Sequence, residues 1–459
     1  MKYDRRMYHQ TSHFLGSCEN EHNNAAVIFV TMEGIQHQSG GVARYIGRFI
    51  RFLAKVHSVL LTHNINIAVY ALEPALLEIV PSYDKKYYQE MRGLLSSTGG
   101  RFYKLINNTF GEDWIGPKKN WELMSSSAAA IALNIAEQYD FAAVITGSSC
   151  FAMMPVYIHK QCRSFQADIR TVYMTNDSAF SAFYKYRDED ILAMDYLTCQ
   201  WTKFTPNAKI GYVSENMKSL FQEKYFVQEE AFVPTKGGVD FEEDRFLEIC
   251  RKKILHILKQ YGIPADKKIV FSWGRPQSYK RFDLLFQSAK LVSDKVLPVV
   301  VTNGAFPSLR SYIKEHGHKG ILIESYQGFE LIKALVKWEN TCCTCFLSEG
   351  EPGAITPMEA MYMAYGCSSI VLAHDDGIYR EIIEDGNNGF LVKNNADEIA
   401  KRMGDLLNLD EETRKRINRE AFHTVQRKFS AKAYYWQTLH EVFPQFKESF
   451  VHISKEVCK

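Results

Sequence analysis

Two acidic side chains, Glu351 and Glu359, flank a loop of small residues in the second half of the chain. Between them lie Gly353, Ala354 and Ile355, whose backbone amides could hold a phosphate. Ionised carboxylates accept hydrogen bonds from vicinal hydroxyls, such as those of a ribose or of a second sugar. The pattern therefore favours a polyhydroxylated, phosphorylated ligand. In the alternative interpretation, Glu359 pairs with the dipole of the helix that begins near it, and Glu351 is a solvated loop residue.

Two basic side chains, Arg275 and Lys280, follow the end of a predicted strand. Turn amides and helix N-termini favour an anion at such a place, and charge-assisted hydrogen bonds contribute about 1.5 to 3 kcal/mol each. Two fixed cations suit a diphosphate, although an exposed and solvated pair of charges would leave the same pattern. Together with the two carboxylates, they predict a nucleotide-sugar site.

The elements that must position these residues form a regular series. Short apolar runs alternate with helical patterns, which predicts an α/β fold with buried parallel strands. The series restarts near residue 267, and the length of the chain also suggests two cores. We predict two doubly wound, Rossmann-like domains facing each other across a cleft: 1–245, the acceptor domain, and 246–430, the donor domain, with helix 431–459 packing back on the first. The active site is then expected between them, where the strands end.

Two segments fit this series less well. The charged stretch from Glu242 to Tyr261 is interpreted as a helical connection between the domains. The segment from Ser82 to Leu123 looks like an insertion, in which Trp114 and Trp121 either stack on a sugar or pack a subdomain.

Composition excludes several classes of protein. Lysine and arginine total 55 against 53 acidic residues, so nothing indicates a nucleic-acid partner. The polar tail 1–24 lacks the apolar segment of a secretory signal, and no apolar run reaches the ~18 residues of a membrane span. The 10 cysteines do not look like a disulfide framework. We expect a cytoplasmic protein and leave peripheral membrane contact and oligomeric state open.

Two short motifs invite a metal interpretation. Cys342 and Cys345 have the spacing of half a zinc site, but no second pair follows, and their surroundings predict a buried strand. His374, Asp375 and Asp376 follow another predicted strand and read as a loop. We expect no metal site.

Taken together, the motifs resemble those of retaining glycosyltransferases of the GT-B fold, in particular glycosyltransferase family 4, with similarity to glycogen and starch synthases. Arg275 and Lys280 match the diphosphate clamp of that family, and Glu351 and Glu359 match its Glu-x7-Glu motif. The glycine pair in Gly40-Gly41-Val42 is a weaker match. The resemblance is strongest in the second half of the chain.

This resemblance implies roles for the individual residues. The two basic side chains would neutralise the leaving diphosphate, while Glu351 binds the donor sugar and Glu359 the ribose. Gly40 and Gly41 would let the N-terminal loop approach the donor phosphate and the acceptor closely. Transfer in the family is front-face and retaining, with a donor phosphate oxygen taking the proton of the acceptor. No cofactor is implied beyond the nucleotide diphosphate sugar itself.

The sequence departs from the family pattern at two places. Where members commonly carry Thr-x-His, this chain has Thr175, Asn176 and Asp177. Asn176 or Asp177 could hold a sugar hydroxyl, and Asp177 could equally be a loop or cap residue. Pro352 removes one backbone donor from the phosphate loop.

The leading hypothesis is transfer of a hexose or N-acetylhexosamine from a UDP- or GDP-linked donor to a hydroxyl acceptor, either a small molecule or a glycan. An alternative is a nucleotide-sugar-binding regulatory protein without turnover, suggested by the missing histidine. A dinucleotide-dependent oxidoreductase would share the sheets but is disfavoured, because neither glycine-rich loop reads Gly-x-Gly-x-x-Gly at the start of a helix.

Overall fold

Buried apolar runs form the strands of two parallel sheets in the computed structural model of this chain. In strand β1 (Asn23–Val30) the last six residues are fully buried. An unbroken apolar strand of this kind fits a sheet whose two faces are both covered by helices. The structure describes residues 23–37, 40–75, 83–105, 119–161, 168–176, 178–179, 189–292, 296–326 and 328–457.

The first lobe is built on a seven-stranded sheet with the order β3-β2-β1-β4-β5-β6-β7. After β1, its strands are β2 (Ile65–Pro74), β3 (Phe102–Leu105), β4 (Phe141–Thr146), β5 (Asp168–Met174), β6 (Ala208–Tyr212) and β7 (Phe232–Pro234). Its helices are α1 (Gly41–Thr62), α2 (Lys85–Ser97), α3 (Lys119–Ala136), α4 (Met154–Gln161), α5 (Glu189–Trp201) and α6 (Glu215–Tyr225).

The second lobe has a six-stranded sheet with the order β10-β9-β8-β11-β12-β13. Its strands are β8 (Lys268–Gly274), β9 (Val296–Thr302), β10 (Ile321–Ile323), β11 (Thr341–Phe346), β12 (Ile370–His374) and β13 (Phe390–Val392). Its helices are α7 (Arg251–Gln260), α8 (Phe282–Val292), α9 (Pro307–Glu315), α10 (Glu330–Lys337), α11 (Ile355–Met363), α12 (Gly377–Ile382), α13 (Ala396–Leu407) and α14 (Glu411–Lys428).

Two further helices, α15 (Ala431–Val442) and α16 (Lys447–Val457), return to the first lobe. Tyr435 of α15 stacks on Phe49 of α1 with ring centroids 4.5 Å apart, inside the core beneath the first sheet. The chain therefore passes between the lobes twice. The two segments that cross between the lobes lie side by side, and the Val239 amide of one donates to the Phe429 carbonyl of the other at 2.8 Å.

The predicted architecture of two parallel-sheet lobes is confirmed, with differences in detail. The segment interpreted as an insertion contributes α2 and the edge strand β3 to the first lobe. Within it, Trp121 is buried in a core of the first lobe, whereas Trp114 lies outside the described residues. The connection from Glu242 is a short 3-10 turn at Asp244–Phe246, and its α-helix starts only at Arg251. No helix among the described residues has the length and apolar character of a membrane span.

Candidate active site

A cleft of about 350 Å³ lies between the two lobes. On each side it opens at the point where the strand order reverses, beside β1 and β4 in the first lobe and beside β8 and β11 in the second. Adjacent loops diverge at such a reversal, which leaves a crevice at the carboxyl ends of the strands. Of the predicted site residues, those lining the cleft are Gly40, Gly41, Asn176, Arg275, Lys280, Glu351, Gly353, Ala354 and Ile355.

Arg275 and Lys280 leave β8 on a short connection to α8. Arg275 is exposed, and its Nη2 lies 3.0 Å from the hydroxyl oxygen of Tyr279. Lys280 ends a 3-10 turn, and its ammonium forms an ion pair with Glu351. Only 13% of the Lys280 side chain and 10% of the Glu351 side chain remain accessible to solvent. The predicted clamp and the first carboxylate therefore stand together in one cleft.

The loop between β11 and α11 carries the backbone groups of the site. Gly350 has a φ of 66°, in the left-handed region that favours glycine, and it turns the chain directly before Glu351. Ala354 is extended and precedes the first turn of α11, so the amides from Gly353 to Ile355 are at a helix N-terminus. Such amides favour an anion.

Glu359 occupies a different environment from the one expected. Its carboxylate is fully buried and does not line the cleft. It accepts hydrogen bonds from Arg48 at 2.9 Å and Arg44 at 3.2 Å, both on α1, and from Arg245 at 3.5 Å. Burial raises the pKa of Glu359, but the charges of the three arginines outweigh it and hold the pKa at about 2. Ribose binding by Glu359 stays a prediction.

These residues form what we call the interlobe cluster: Arg44, Arg48, Glu243, Arg245 and Glu359. Arg48 binds Glu243 with two nitrogens, at 2.8 and 2.7 Å, and also donates to the Gly238 carbonyl at 2.9 Å. Sequence analysis missed the arginines. The only signal for Arg44 and Arg48 is that two basic residues stand four positions apart in the otherwise apolar start of α1.

Gly40 and Gly41 form the start of α1 beside the cleft. A Cβ on Gly40 would lie 2.1 Å from Oε1 of Glu33, so a larger residue there would require the Glu33 side chain to move. Gly41 has open space where its Cβ would stand. Of the two, Gly41 is the position that leaves free room beside the cleft.

Glu33 is a further carboxylate in the cleft that sequence analysis did not single out. Burial raises its pKa, while Arg275, the Ala43 amide and Arg44 lower it, and the pKa remains above its ordinary value. The sequence signal was slight: an acidic residue directly after a buried strand and before a glycine-rich loop.

Asn176 lies at the carboxyl end of β5 and lines the cleft. Its Nδ2 donates to the Gly147 carbonyl at 3.3 Å. Its Oδ1 is buried and has no hydrogen-bond partner among the described residues. Asp177 lies outside the described residues.

Side chains of each lobe also hydrogen-bond to the backbone of the other lobe across the cleft. The Ser214 hydroxyl donates to the Pro352 carbonyl at 2.7 Å. Glu381 of α12 accepts from the amides of Glu215 and Asn216, at 3.0 and 2.7 Å, at the start of α6. The cleft is thus bridged by hydrogen bonds between the lobes.

The residues considered for metal binding have structural roles. Cys342 and Cys345 are buried in β11, as predicted. Asp375 pairs with Arg380, while Asp376 accepts from the amides of Gly350 and Gly377 at 3.2 and 2.7 Å. Asp376 therefore links the loop between β11 and α11 to the start of α12.

Comparisons with known proteins agree with this arrangement. Residues 254–424 match the family model described as Glycosyl transferases group 1. HepE of Anabaena, in complex with UDP and glucose, superposes with a TM-score of 0.66 at 15% identity, covering 91% of this chain and 99% of that chain. Sucrose-phosphate synthase from Thermosynechococcus elongatus gives 0.69 at 13% identity, covering 93% and 100%. No curated protein sequence matches the chain.

The lipopolysaccharide outer core galactosyltransferase WaaB, in its apo form, also superposes, with a TM-score of 0.60 at 14% identity over 92% of this chain and 99% of that chain. These structural likenesses establish the fold of both lobes, and the family model covers most of the second lobe. The chain therefore has the GT-B fold, and the part of its second lobe from residue 254 to 424 is similar to the Glycosyl transferases group 1 family.

Proposed function

We propose that this enzyme transfers a hexose or an N-acetylhexosamine from a UDP-linked donor to a hydroxyl acceptor, with retention of anomeric configuration. The observation that carries the proposal is the convergence of Arg275, Lys280 and Glu351 in one cleft. HepE of Anabaena has been crystallised with UDP and with UDP-glucose, which supports UDP over other nucleotides for a protein of this fold.

In the proposed reaction the bond between the anomeric carbon and the diphosphate oxygen breaks, and UDP departs with the electron pair. Arg275 and Lys280 stabilise the negative charge that develops on the diphosphate. Preorganised groups of this kind contribute about 10²- to 10³-fold each to a rate. The amides at the start of α11 add partial positive charge on the same side.

The acceptor oxygen forms its new bond on the face that UDP leaves, and its proton passes to an oxygen of the departing diphosphate. Glu351 holds hydroxyls of the donor sugar so that the anomeric carbon stays in place. We propose that side chains supply the cations for this reaction and that no metal is required. A reducing, cytoplasmic location is supported by the free thiols of Cys199, Cys250, Cys342, Cys343, Cys345 and Cys367.

The test is to incubate the protein with UDP-glucose, UDP-galactose, UDP-N-acetylglucosamine and GDP-mannose and to measure nucleoside diphosphate release, with and without saccharide acceptors. NMR coupling constants of the product then report the anomeric configuration. We expect UDP release and a retained anomer. Tight UDP binding without release would instead favour the regulatory alternative, and failure of every nucleotide to bind would refute the proposal.

A further inference from the structure

Glu33 stands in a fixed position at the end of β1. The hydroxyl of Thr31 accepts from the Glu33 amide at 3.2 Å and donates to its carbonyl at 2.7 Å. The following amides, of Ile35 and Gln36, donate to the buried carboxylate of Glu73 at 2.8 and 3.3 Å. The loop that carries Glu33 is therefore tied down on both sides, and its carboxylate rests against Gly40.

The charges around Glu33 come from both lobes. Arg275 and Arg44 lie close enough to influence its pKa, and so does the Ala43 amide of α1. Arg44 is committed to Glu359, and Arg275 belongs to the proposed diphosphate clamp. Once a donor diphosphate takes Arg275, the Glu33 carboxylate remains at the wall of the cleft, beside the proposed diphosphate clamp.

The wall around Glu33 combines hydrogen-bond acceptors with apolar surface. Met32, Cys150 and Met174 line the same side of the cleft, and Asn176 adds the buried Oδ1 without a described partner. A sugar presents hydroxyl donors at its edges and a C–H face between them. Acceptor oxygens beside apolar side chains complement such a molecule. A phosphate at this place would meet the negative charge of Glu33.

We propose that Glu33 is an acceptor-binding residue and that the acceptor is an uncharged saccharide or glycoside, not a sugar phosphate. This inference rests on the proposed function. Glu33 accepts the hydrogen bond of an acceptor hydroxyl next to the attacking one, and Asn176 Oδ1 accepts a second. The proton of the attacking hydroxyl still leaves with the diphosphate.

The experiment compares the wild type with Glu33→Gln, using methyl and octyl glycosides of common hexoses as neutral acceptors and hexose 6-phosphates as anionic ones. For the wild type we expect turnover with a neutral acceptor and none with the phosphates. For Glu33→Gln we expect the KM of the neutral acceptor to rise ~10-fold, the effect of losing a hydrogen bond to a charged group. Hexose 6-phosphates should become acceptors or competitive inhibitors of this variant.

The donor side supplies the controls. The slow hydrolysis of the UDP-sugar without acceptor should stay within ~2-fold of the wild type, since this reaction uses no saccharide acceptor, whereas the Kd for UDP is free to fall because Glu33 and Arg275 attract each other. Glu349→Gln, an exposed carboxylate outside the cleft, should change none of these quantities. Melting curves of both variants verify that they are folded.

Three results would overturn the inference. One is tighter UDP binding by Glu33→Gln together with an unchanged acceptor KM. That result would mean that the Glu33 carboxylate occupies a position that the donor phosphate takes and does not bind the acceptor. A second is turnover of hexose 6-phosphates by the wild type. A third is UDP binding without stimulation by any neutral glycoside. Absence of UDP binding in the wild type would instead contradict the proposed function itself.

Discussion

Lys280 and Glu351 form an ion pair inside the cleft, so each fixes the other before a donor arrives. A carboxylate that is already neutralised costs less to desolvate when a sugar covers it than an isolated one. The pair also brings the group proposed to hold the sugar next to a group proposed to hold its diphosphate. Changing either residue should therefore affect the reaction in a distinct way.

Replacing Glu351 by Gln should reduce kcat by at least ~100-fold, equivalent to about 2.7 kcal/mol of transition-state stabilisation, because the donor sugar loses its positioning carboxylate. Steady-state UDP release measures the effect. Glu349→Gln is the matched control, because it lies on the same loop but is paired with Arg281 at the surface. Equal losses in the two variants would contradict the assignment of Glu351.

Replacing Lys280 by Met should act mainly on the diphosphate. We expect the Kd for UDP, measured by calorimetry, to rise ~10-fold or more, because a charge-assisted hydrogen bond in a shielded site is lost. Lys290→Met is the control, since that lysine is exposed on α8 away from the cleft. Unchanged UDP affinity in Lys280→Met would exclude Lys280 from the clamp.

At this scale the sequence predicted the residues that stand close together along the chain. Arg275 and Lys280 share one connection, and Glu351 and Glu359 flank one loop, so the spacing within each motif favoured a ligand site and the family resemblance joined the two. Glu33 and Arg48 were missed because their surroundings come from distant parts of the chain. Arg48 and Glu359, for example, are 311 positions apart.

Helix α1 both packs in the core of the first lobe and supplies arginines to the interlobe cluster. Its apolar face packs beneath the first sheet, while Arg44 and Arg48 project from its first turns into the interlobe cluster. Arg48 is only 2% exposed and Glu359 is fully buried. Removing one member of a buried ion pair leaves the other charge without compensation, which is more costly than the pair itself is stabilising.

Arg48→Met should accordingly lower the free energy of unfolding by about 3 kcal/mol, because it leaves Glu243 and Glu359 short of a partner. Urea unfolding followed by circular dichroism measures this change. Lys55→Met is the control on the same helix: Lys55 and its partner Glu242 are both more than half exposed, and such pairs contribute about 0 to 1 kcal/mol. Similar losses in both variants would show that burial of the pair is not what matters.

Strands and helices with strong periodicity were predicted well, and the exceptions have physical reasons. Helix α9 begins at Pro307, whose fixed φ suits the first turn of a helix, and ends at Glu315. Strand β3 has only four residues, which is too short to give a clear periodic pattern, and it pairs with β2 at the edge of the sheet. The start of the interlobe connection looked helical, but Glu243 is drawn to Arg48, and the α-helix begins only at Arg251.

At the scale of the whole molecule, the interlobe cluster makes the contact between the lobes sensitive to acid. The pKa of Glu359 falls from its ordinary value of 4.5 to about 2 in the folded protein, so folding favours the ionised form. Its contribution is fully present above about pH 4.5 and is lost as the pH falls towards 2. A difference of this size corresponds to about 3 kcal/mol.

We therefore expect wild-type stability to decline more steeply between pH 4.5 and pH 2.5 than that of Glu359→Gln, which cannot ionise. At pH 7 the variant should be the less stable of the two, because its three arginines lose their counter-charge. Urea unfolding at a series of pH values gives both slopes. Parallel curves for the two proteins would contradict the role given to this carboxylate.

The return of α15 and α16 to the first lobe bears on how the protein is made. Tyr435 and Trp436 belong to the core that also contains Phe49 and the inner face of β1. During synthesis these aromatic residues leave the ribosome only after the entire second lobe has been translated. The first lobe therefore cannot complete its core until the second lobe has been synthesised, whereas the second lobe can form its own sheet at once. The lobe that is translated first is thus the one that is completed last.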